Sequence, residues 1–186
     1  TVGARFSRNV QTFEDFSYPP GVFGLPAYAT SELNQNVATW LASADYRFND
    51  DVMAYVRAAS GYRPGGVQAV SCAPSYDSDS LVNYELGLKS TFLDGRARVN
   101  LAAYHIDWKD IQLTAYTPEF VGYTVNGGKA VSQGFEIETE FTPFRGLTLG
   151  LNAGYTDAHL TSTVAGADYL LTGYQLPFAP ETTASF

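Results

Sequence analysis

An all-β fold is predicted, an antiparallel transmembrane β-barrel segment of about eight strands. Three observations predict it. Apolar and polar residues alternate with period two over runs of ten or more residues. Tight turns alternate with long loops along the chain, the asymmetry of outer-membrane barrels. No apolar run approaches the ~18 residues of a membrane helix, and barrel strands need none.

Strands are expected near 1–13, 36–48, 52–63, 81–93, 96–109, 130–142 and 146–157, with the start of an eighth near 181–186. Asn49-Asp50-Asp51, Asp94-Gly95 and Pro143-Phe144-Arg145 are the tight turns. Long connections near 14–35, 64–80, 110–129 and 158–180 are rich in Gly, Pro, Ser and Tyr. By the barrel rule the tight turns face the periplasm and the long loops face outside.

Register follows from the turns, because a one-residue slip turns every side chain to the other face. A two-residue Asp94-Gly95 turn pairs Phe92 with Ala97, Ser90 with Val99, Leu88 with Leu101 and Leu86 with Ala103. Asn49-Asp50-Asp51 pairs Phe48 with Val52, Tyr46 with Ala54 and Ala44 with Val56. A three-residue Pro143–Arg145 loop pairs Phe141 with Leu147, Thr139 with Leu149 and Ile137 with Leu151.

Two faces result. One is free of charge and includes Trp40, Tyr46, Val56, Leu86, Leu88, Leu101, Ile137, Leu149 and Leu151. The other carries Asp45, Arg47, Arg57, Glu85, Lys89, Arg96, Arg98, Glu136, Glu138 and Glu140. An Arg or Lys on the lipid face costs roughly 2–4 kcal/mol at the midplane, so the first face suits lipid and the second a wet lumen. Tyr46, Phe48, Phe92, Phe141 and Phe144 lie beside the tight turns, with Tyr62, Tyr104, Trp108 and Tyr155 at the far strand ends, as two aromatic girdles would. One strand breaks phase: beyond Ala103 the apolar positions move to Tyr104, Ile106 and Trp108. Exit from the membrane or a bulge would account for it.

Composition narrows the function. A net charge of −8 argues against nucleic acid. The single cysteine, Cys72, rules out an internal disulfide framework and could pair only with a cysteine outside this segment. No nucleophile motif or metal-ligand spacing occurs, and no cofactor is implied. His105 with Asp107, and Asp157 with His159, share strand faces; polar residues at wet strand ends explain them better than catalysis. Glu136, Glu138 and Glu140 form a carboxylate row better read as structural, meeting Arg96, Arg98 or another lumen partner, than as a cation site. Asp77-Ser78-Asp79 lacks the remaining ligands of a calcium loop.

Several runs resemble the barrel of TonB-dependent receptors. Asp45-Tyr46-Arg47-Phe48-Asn49-Asp50-Asp51-Val52-Met53-Ala54-Tyr55-Val56 is similar to their strand–turn–strand unit, and Gly61-Tyr62-Arg63-Pro64-Gly65-Gly66 to the strand end after it. The most specific run, Tyr84-Glu85-Leu86-Gly87-Leu88-Lys89-Ser90-Thr91-Phe92-Leu93-Asp94-Gly95-Arg96, continues into Ala103–Gln112. Val125-Asn126-Gly127-Gly128-Lys129-Ala130, Gln133-Gly134-Phe135-Glu136 and Leu176-Pro177-Phe178-Ala179-Pro180-Glu181 add to it.

The resemblance implies a twenty-two-stranded barrel filled by an N-terminal plug, of which residues 1–186 would be a partial, late-middle stretch. It places Asn126-Gly127, a hairpin signal by turn chemistry, at the return from an outer loop into a strand. Phe186 then reads as a cut within a strand. The absence of a signal peptide before Thr1 reads as prior removal or an internal start.

The implied function is an outer-membrane receptor, not an enzyme, for a scarce nutrient such as a ferric siderophore. Expected partners are membrane lipid or lipopolysaccharide, the plug of the same full-length chain, the inner-membrane TonB complex through that plug, and a small chelate. Tyr62, Arg63, Gln68, Tyr76, Tyr116, Phe120 and Tyr123, at or in the outer loops, suit stacking and ion pairing with a planar anionic chelate. An interfacial girdle with ordinary loop residues is the competing reading of these seven. Two other functions stay open: a complete eight-stranded barrel with a structural or adhesive role, and a soluble glycan-binding β-sandwich.

Overall fold

The computed structural model describes residues 1–14, 30–68, 75–164 and 171–186, and Cys72 lies outside them. No helix occurs among the described residues. The strands are β1 (Val2–Glu14), β2 (Thr30–Arg47), β3 (Val52–Arg63), β4 (Gly66–Val67), β5 (Ser75–Tyr76), β6 (Asp79–Phe92), β7 (Ala97–Lys109), β8 (Gln112–Tyr116), β9 (Gly122–Asn126), β10 (Lys129–Phe144), β11 (Leu147–Leu160) and β12 (Thr182–Ser185). Eight of them build one sheet in the order β1-β2-β3-β6-β7-β10-β11-β12, and β4–β5 and β8–β9 form two small hairpins apart from it. Every pairing is antiparallel. With the hairpins set aside, each strand pairs with its neighbour in sequence, an up-and-down meander that has not closed.

Turn chemistry sets two registers as expected. Phe92 pairs Ala97 and Leu88 pairs Leu101. Asp94 (φ 55°) and Gly95 (φ 83°) take the left-handed conformations that a two-residue hairpin turn requires. Tyr46 pairs Ala54 and Ala44 pairs Val56. There Asn49 Oδ1 accepts from the Asp51 and Val52 amides at 2.9 and 2.8 Å, replacing a backbone turn with a side-chain one.

The third register is corrected. Phe141 pairs Leu149, not Leu147; Thr139 pairs Leu151, and Ile137 pairs Ala153. The turn residues are Arg145 and Gly146 (φ 95°), flanked by the Phe144–Leu147 pair. The register shifts between Phe141 and Phe144, across Thr142 and Pro143. Proline has no N–H for the ladder and is tolerated in strands at bulges. The slip is two residues, so the face of each side chain is the one expected.

The phase break in β7 is no bulge, because its pairings with β6 and β10 run without a shift from Ala97 to Lys109. Tyr104, Ile106 and Trp108 therefore lie on the face of Arg98 and Asn100. For Trp108 the β8–β9 hairpin makes this tolerable. A small core of Ile111, Ala115, Ala130, Leu160 and Val164, flanked by Trp108, Leu113, Tyr123, Val125 and Leu176, forms at that end. The hairpin covers apolar residues on the otherwise charged face.

Elsewhere the uncharged face is bare. Leu86 is 58% exposed, and Val56, Phe135, Leu149 and Leu151 are exposed with it. No second sheet packs on this face among the described residues, as a sandwich would demand. A band of this kind needs an apolar solvent.

Candidate functional site

The loop ends of β3 and β6 and the start of β8 meet around one buried carboxylate. Asp79 is 1% exposed. Its Oδ1 accepts from the Arg63 backbone N–H at 2.9 Å, and its Oδ2 from Arg63 Nε at 2.7 Å and the Gln112 backbone N–H at 3.3 Å. Arg63 Nη2 also bonds this oxygen, and donates to the Gln112 carbonyl at 3.2 Å. The guanidinium lies 4.7 Å from the centroid of the Trp108 ring. A buried carboxylate is stable only when charge and donors both reach it, and here both do.

The same end is stitched by amides. Gln68 exchanges two hydrogen bonds with the Thr124 backbone, each 2.8 Å. Asn126 Nδ2 donates to the Asp77 and Asp110 carbonyls at 2.8 and 3.0 Å. Gln112 Nε2 donates to the Pro64 and Asp77 carbonyls, both at 3.0 Å. Gln35 Oε1 accepts from the Gly65 N–H at 2.9 Å, and Gln11 Nε2 donates to the Gly65 carbonyl at 3.1 Å. Residues 64–68 and 75–80 and the 110–129 connection are thus one hydrogen-bonded unit, anchored to β1 and β2.

The seven loop candidates separate. Arg63 and Gln68 are in this network. Tyr76 packs its ring over Gly66, where an added Cβ would sit 2.4 Å from the Tyr76 hydroxyl. Tyr123 packs on the small core. Tyr116 and Phe120 are exposed, Phe120 at 86% in a left-handed turn conformation (φ 62°). Tyr62 pairs Ser80 in register with Ala58 and Val56 and so lies on the uncharged face, turned away from Arg63.

The ten charged candidates share a face, apart from Arg96, whose Nε donates to the Leu93 carbonyl in the turn at 3.1 Å. Asp45 pairs Tyr55, and Arg47 pairs Met53. Arg57 pairs Glu85, and Lys89 pairs both Met53 and Asn100. Arg98 stands opposite Glu140, and Glu136 opposite Ala102. Glu138 accepts from Asn100 Nδ2 at 3.4 Å. No ion pair closes on the three glutamates among the described residues.

At the centre of this face Tyr55 donates to Glu85 at 2.7 Å, with Arg57 and Lys89 5.8 and 5.6 Å from its ring centroid. Its ring lies over Gly87, where a Cβ would come within 2.2 Å of it. Tyr104 lies over Gly134 in the same way and bonds Thr156 at 2.7 Å. Both rings lie flat against the wall.

The His–Asp pairs lie on the opposite, uncharged face, beyond its apolar band, as the pairings of His105 with Tyr84 and of Asp157 with Gln133 require. Asp79, Gln112, Asn126 and Tyr55 are not among the candidate site residues read from the sequence. Asp79 was visible only inside an incomplete calcium pattern, and nothing local marks an amide that will bridge two loops.

An open meander with a bare apolar face, a charged face and loops gathered at one end defines the wall of a transmembrane β-barrel. The chain belongs to the TonB-dependent receptor family: the model of its β-barrel matches residues 1–186. The chain is 30% identical over 160 residues to the metal-pseudopaline receptor CntO of Pseudomonas aeruginosa, covering 86% of this chain and 22% of that one. It is 27% identical over 182 residues to the pesticin receptor of Yersinia pestis, covering 96% and 26%. The crystal structure of the ferric yersiniabactin uptake receptor FyuA from Yersinia pestis superposes with a TM-score of 0.77 at 24% identity, over 98% of this chain and 27% of that one. The chain spans about a quarter of the length of these relatives. Family and neighbours are transport receptors of the Gram-negative outer membrane rather than enzymes.

Proposed function

We propose that residues 1–186 are part of the barrel domain of an energy-coupled receptor that takes up a small metal chelate, of the ferric-siderophore class. The observation that carries this is the joined unit of residues 64–68, 75–80 and 110–129 above a charged wall, in a chain whose relatives are named as receptors for metal-pseudopaline and pesticin. In this reading the charged face is the lumen, and Asp45, Arg47, Arg57, Glu85, Lys89, Arg98, Glu136, Glu138 and Glu140 line it. A plug elsewhere in the full-length chain packs against them and engages TonB. The glutamates, without ion pairs among the described residues, and the flattened Tyr55 and Tyr104 suit a wall that receives a second protein surface.

Arg63, Tyr116 and Phe120 are the mouth residues placed to meet a planar anionic ligand, by charge and by stacking. Gln68, Tyr76 and Tyr123 support the loops that present them. Tyr62 belongs to the outer aromatic girdle. The test is uptake: a strain lacking the full-length gene should lose accumulation of one radiolabelled metal chelate under metal starvation, and loss of TonB should have the same effect. Unchanged uptake across ferric, cobalt, nickel and zinc chelates would refute the reading.

A further inference from the structure

On the uncharged face, beyond the apolar band, β6, β7, β10 and β11 carry polar side chains in successive cross-strand rows. The topmost apolar row is Leu86, Ala103, Phe135 and Tyr155, with the last two rings stacked at 5.7 Å. The row above it holds Tyr84, His105, Gln133 and Asp157. Gln133 joins these strands, its Oε1 3.2 Å from His105 Nδ1 and its Nε2 donating to Asp157 Oδ2 at 3.2 Å. Since that amide donates to Asp157, its oxygen accepts from His105. His159 and Asp157 bond at 2.8 Å, and His105 Nε2 lies 3.4 Å from Asp107.

Above these rows Lys109 pairs directly with Lys129. Both are exposed, and neither has an ion-pair partner among the described residues. Like charges directly opposite each other on a sheet repel, and this pair stands in a chain of net charge −8. The two lysines, with Ser80, Tyr84, Asp107 and Thr161, line a cavity of about 380 Å³ on this face.

We propose that this cavity holds the phosphorylated headgroup of an outer-leaflet glycolipid. Lys109 and Lys129 meet the phosphate, and the hydroxyls of Ser80 and Thr161 stand beside it. The sugar lies over the two rows below, where Asp107 in the first and Gln133 and Asp157 in the second accept hydroxyl donors. The acyl chains continue down the apolar face. Charge complementarity selects the phosphate: two lysines without an ion-pair partner among the described residues stand opposite each other, and among those residues the one carboxylate lining the cavity, Asp107, is already beside His105. Continuity with the apolar band selects a lipid over a free anion. The inference rests on the uncharged face being the barrel exterior and is independent of which chelate is transported.

The test is native mass spectrometry of the full-length receptor in detergent, titrated with bis-phosphorylated lipid A. The Lys109→Gln/Lys129→Gln variant should bind about tenfold more weakly than the wild type, and the Lys109→Arg/Lys129→Arg variant should bind as the wild type does. Dephosphorylated lipid A should bind the wild type as weakly as bis-phosphorylated lipid A binds the Gln variant. Undiminished binding by the Gln variant would overturn the site. So would full displacement of lipid A by millimolar inorganic phosphate, which would make it a free-anion site. Heat-modifiable mobility on gels reports folding; if the double variant is misfolded, each single Gln variant should lose about half of the effect in logarithmic terms. Lipid-phase labelling of a cysteine at Leu101 in the same protein separates failure of this site from failure of the face assignment.

Discussion

Asp79→Ala should detach the outer-loop unit while leaving the barrel wall intact. The substitution removes the acceptor for the Arg63 and Gln112 backbone amides and for the Arg63 guanidinium. The side chain of Arg63 is 47% exposed and regains water, so its ion pair contributes little to the cost. The two stranded amides matter more, at about 1–3 kcal/mol for each donor that stays buried and unsatisfied. With partial access of water on opening, a net local loss of about 2–3 kcal/mol is expected, or roughly 30- to 150-fold in the opening equilibrium. Hydrogen exchange of the full-length protein in nanodiscs reads this directly. Peptides covering β8 and β9 should lose protection by about that factor, while peptides covering β10 keep theirs. Unchanged exchange in β8–β9 would refute the claim that Asp79 holds the unit. Equal loss in β10 would refute its local character.

Gly87→Val should destabilise the wall by about 1–3 kcal/mol, because the new Cβ falls within 2.2 Å of the Tyr55 ring and displaces it from Glu85. Adding Tyr55→Ala should recover part of the loss in a double-mutant cycle read by thermal gel shift, and strict additivity would deny the contact. Leu101→Arg should cost roughly 2–4 kcal/mol while Asn100→Arg, its neighbour on the other face, costs under about 1 kcal/mol; equal costs in urea-unfolding titrations would contradict the two-face arrangement. Gln68→Ala should raise exchange at the Thr124 amide, whose acceptor at 2.8 Å is lost, and leave the Gln112 amide protected.

The wall was legible because its physics is local. Period two, an Asp-Gly turn and an Asn-capped turn fix which residues oppose one another, and one face free of charge names the solvent. The turn after β10 was misplaced because Pro143 marks a bulge as readily as a loop. Alternation cannot distinguish a register from its two-residue slip. The small hairpins are not legible for another reason: β8 and β9 are five residues each and pack on a core completed by Leu160 and Val164, which are distant in sequence. The same applies to the mouth. Arg63 was visible as a cation at a strand end, but its partner Asp79 and the amide bridges depend on where two loops come to rest.

The face assignment is tested most directly by single cysteines in the full-length receptor, in native outer membrane, at Leu88 and Leu101 on one side and Lys89 and Glu138 on the other. A reagent confined to the lipid phase should label the first two and spare the second two. Labelling of Lys89 and Glu138 with protection of Leu88 and Leu101 would contradict the barrel wall as described.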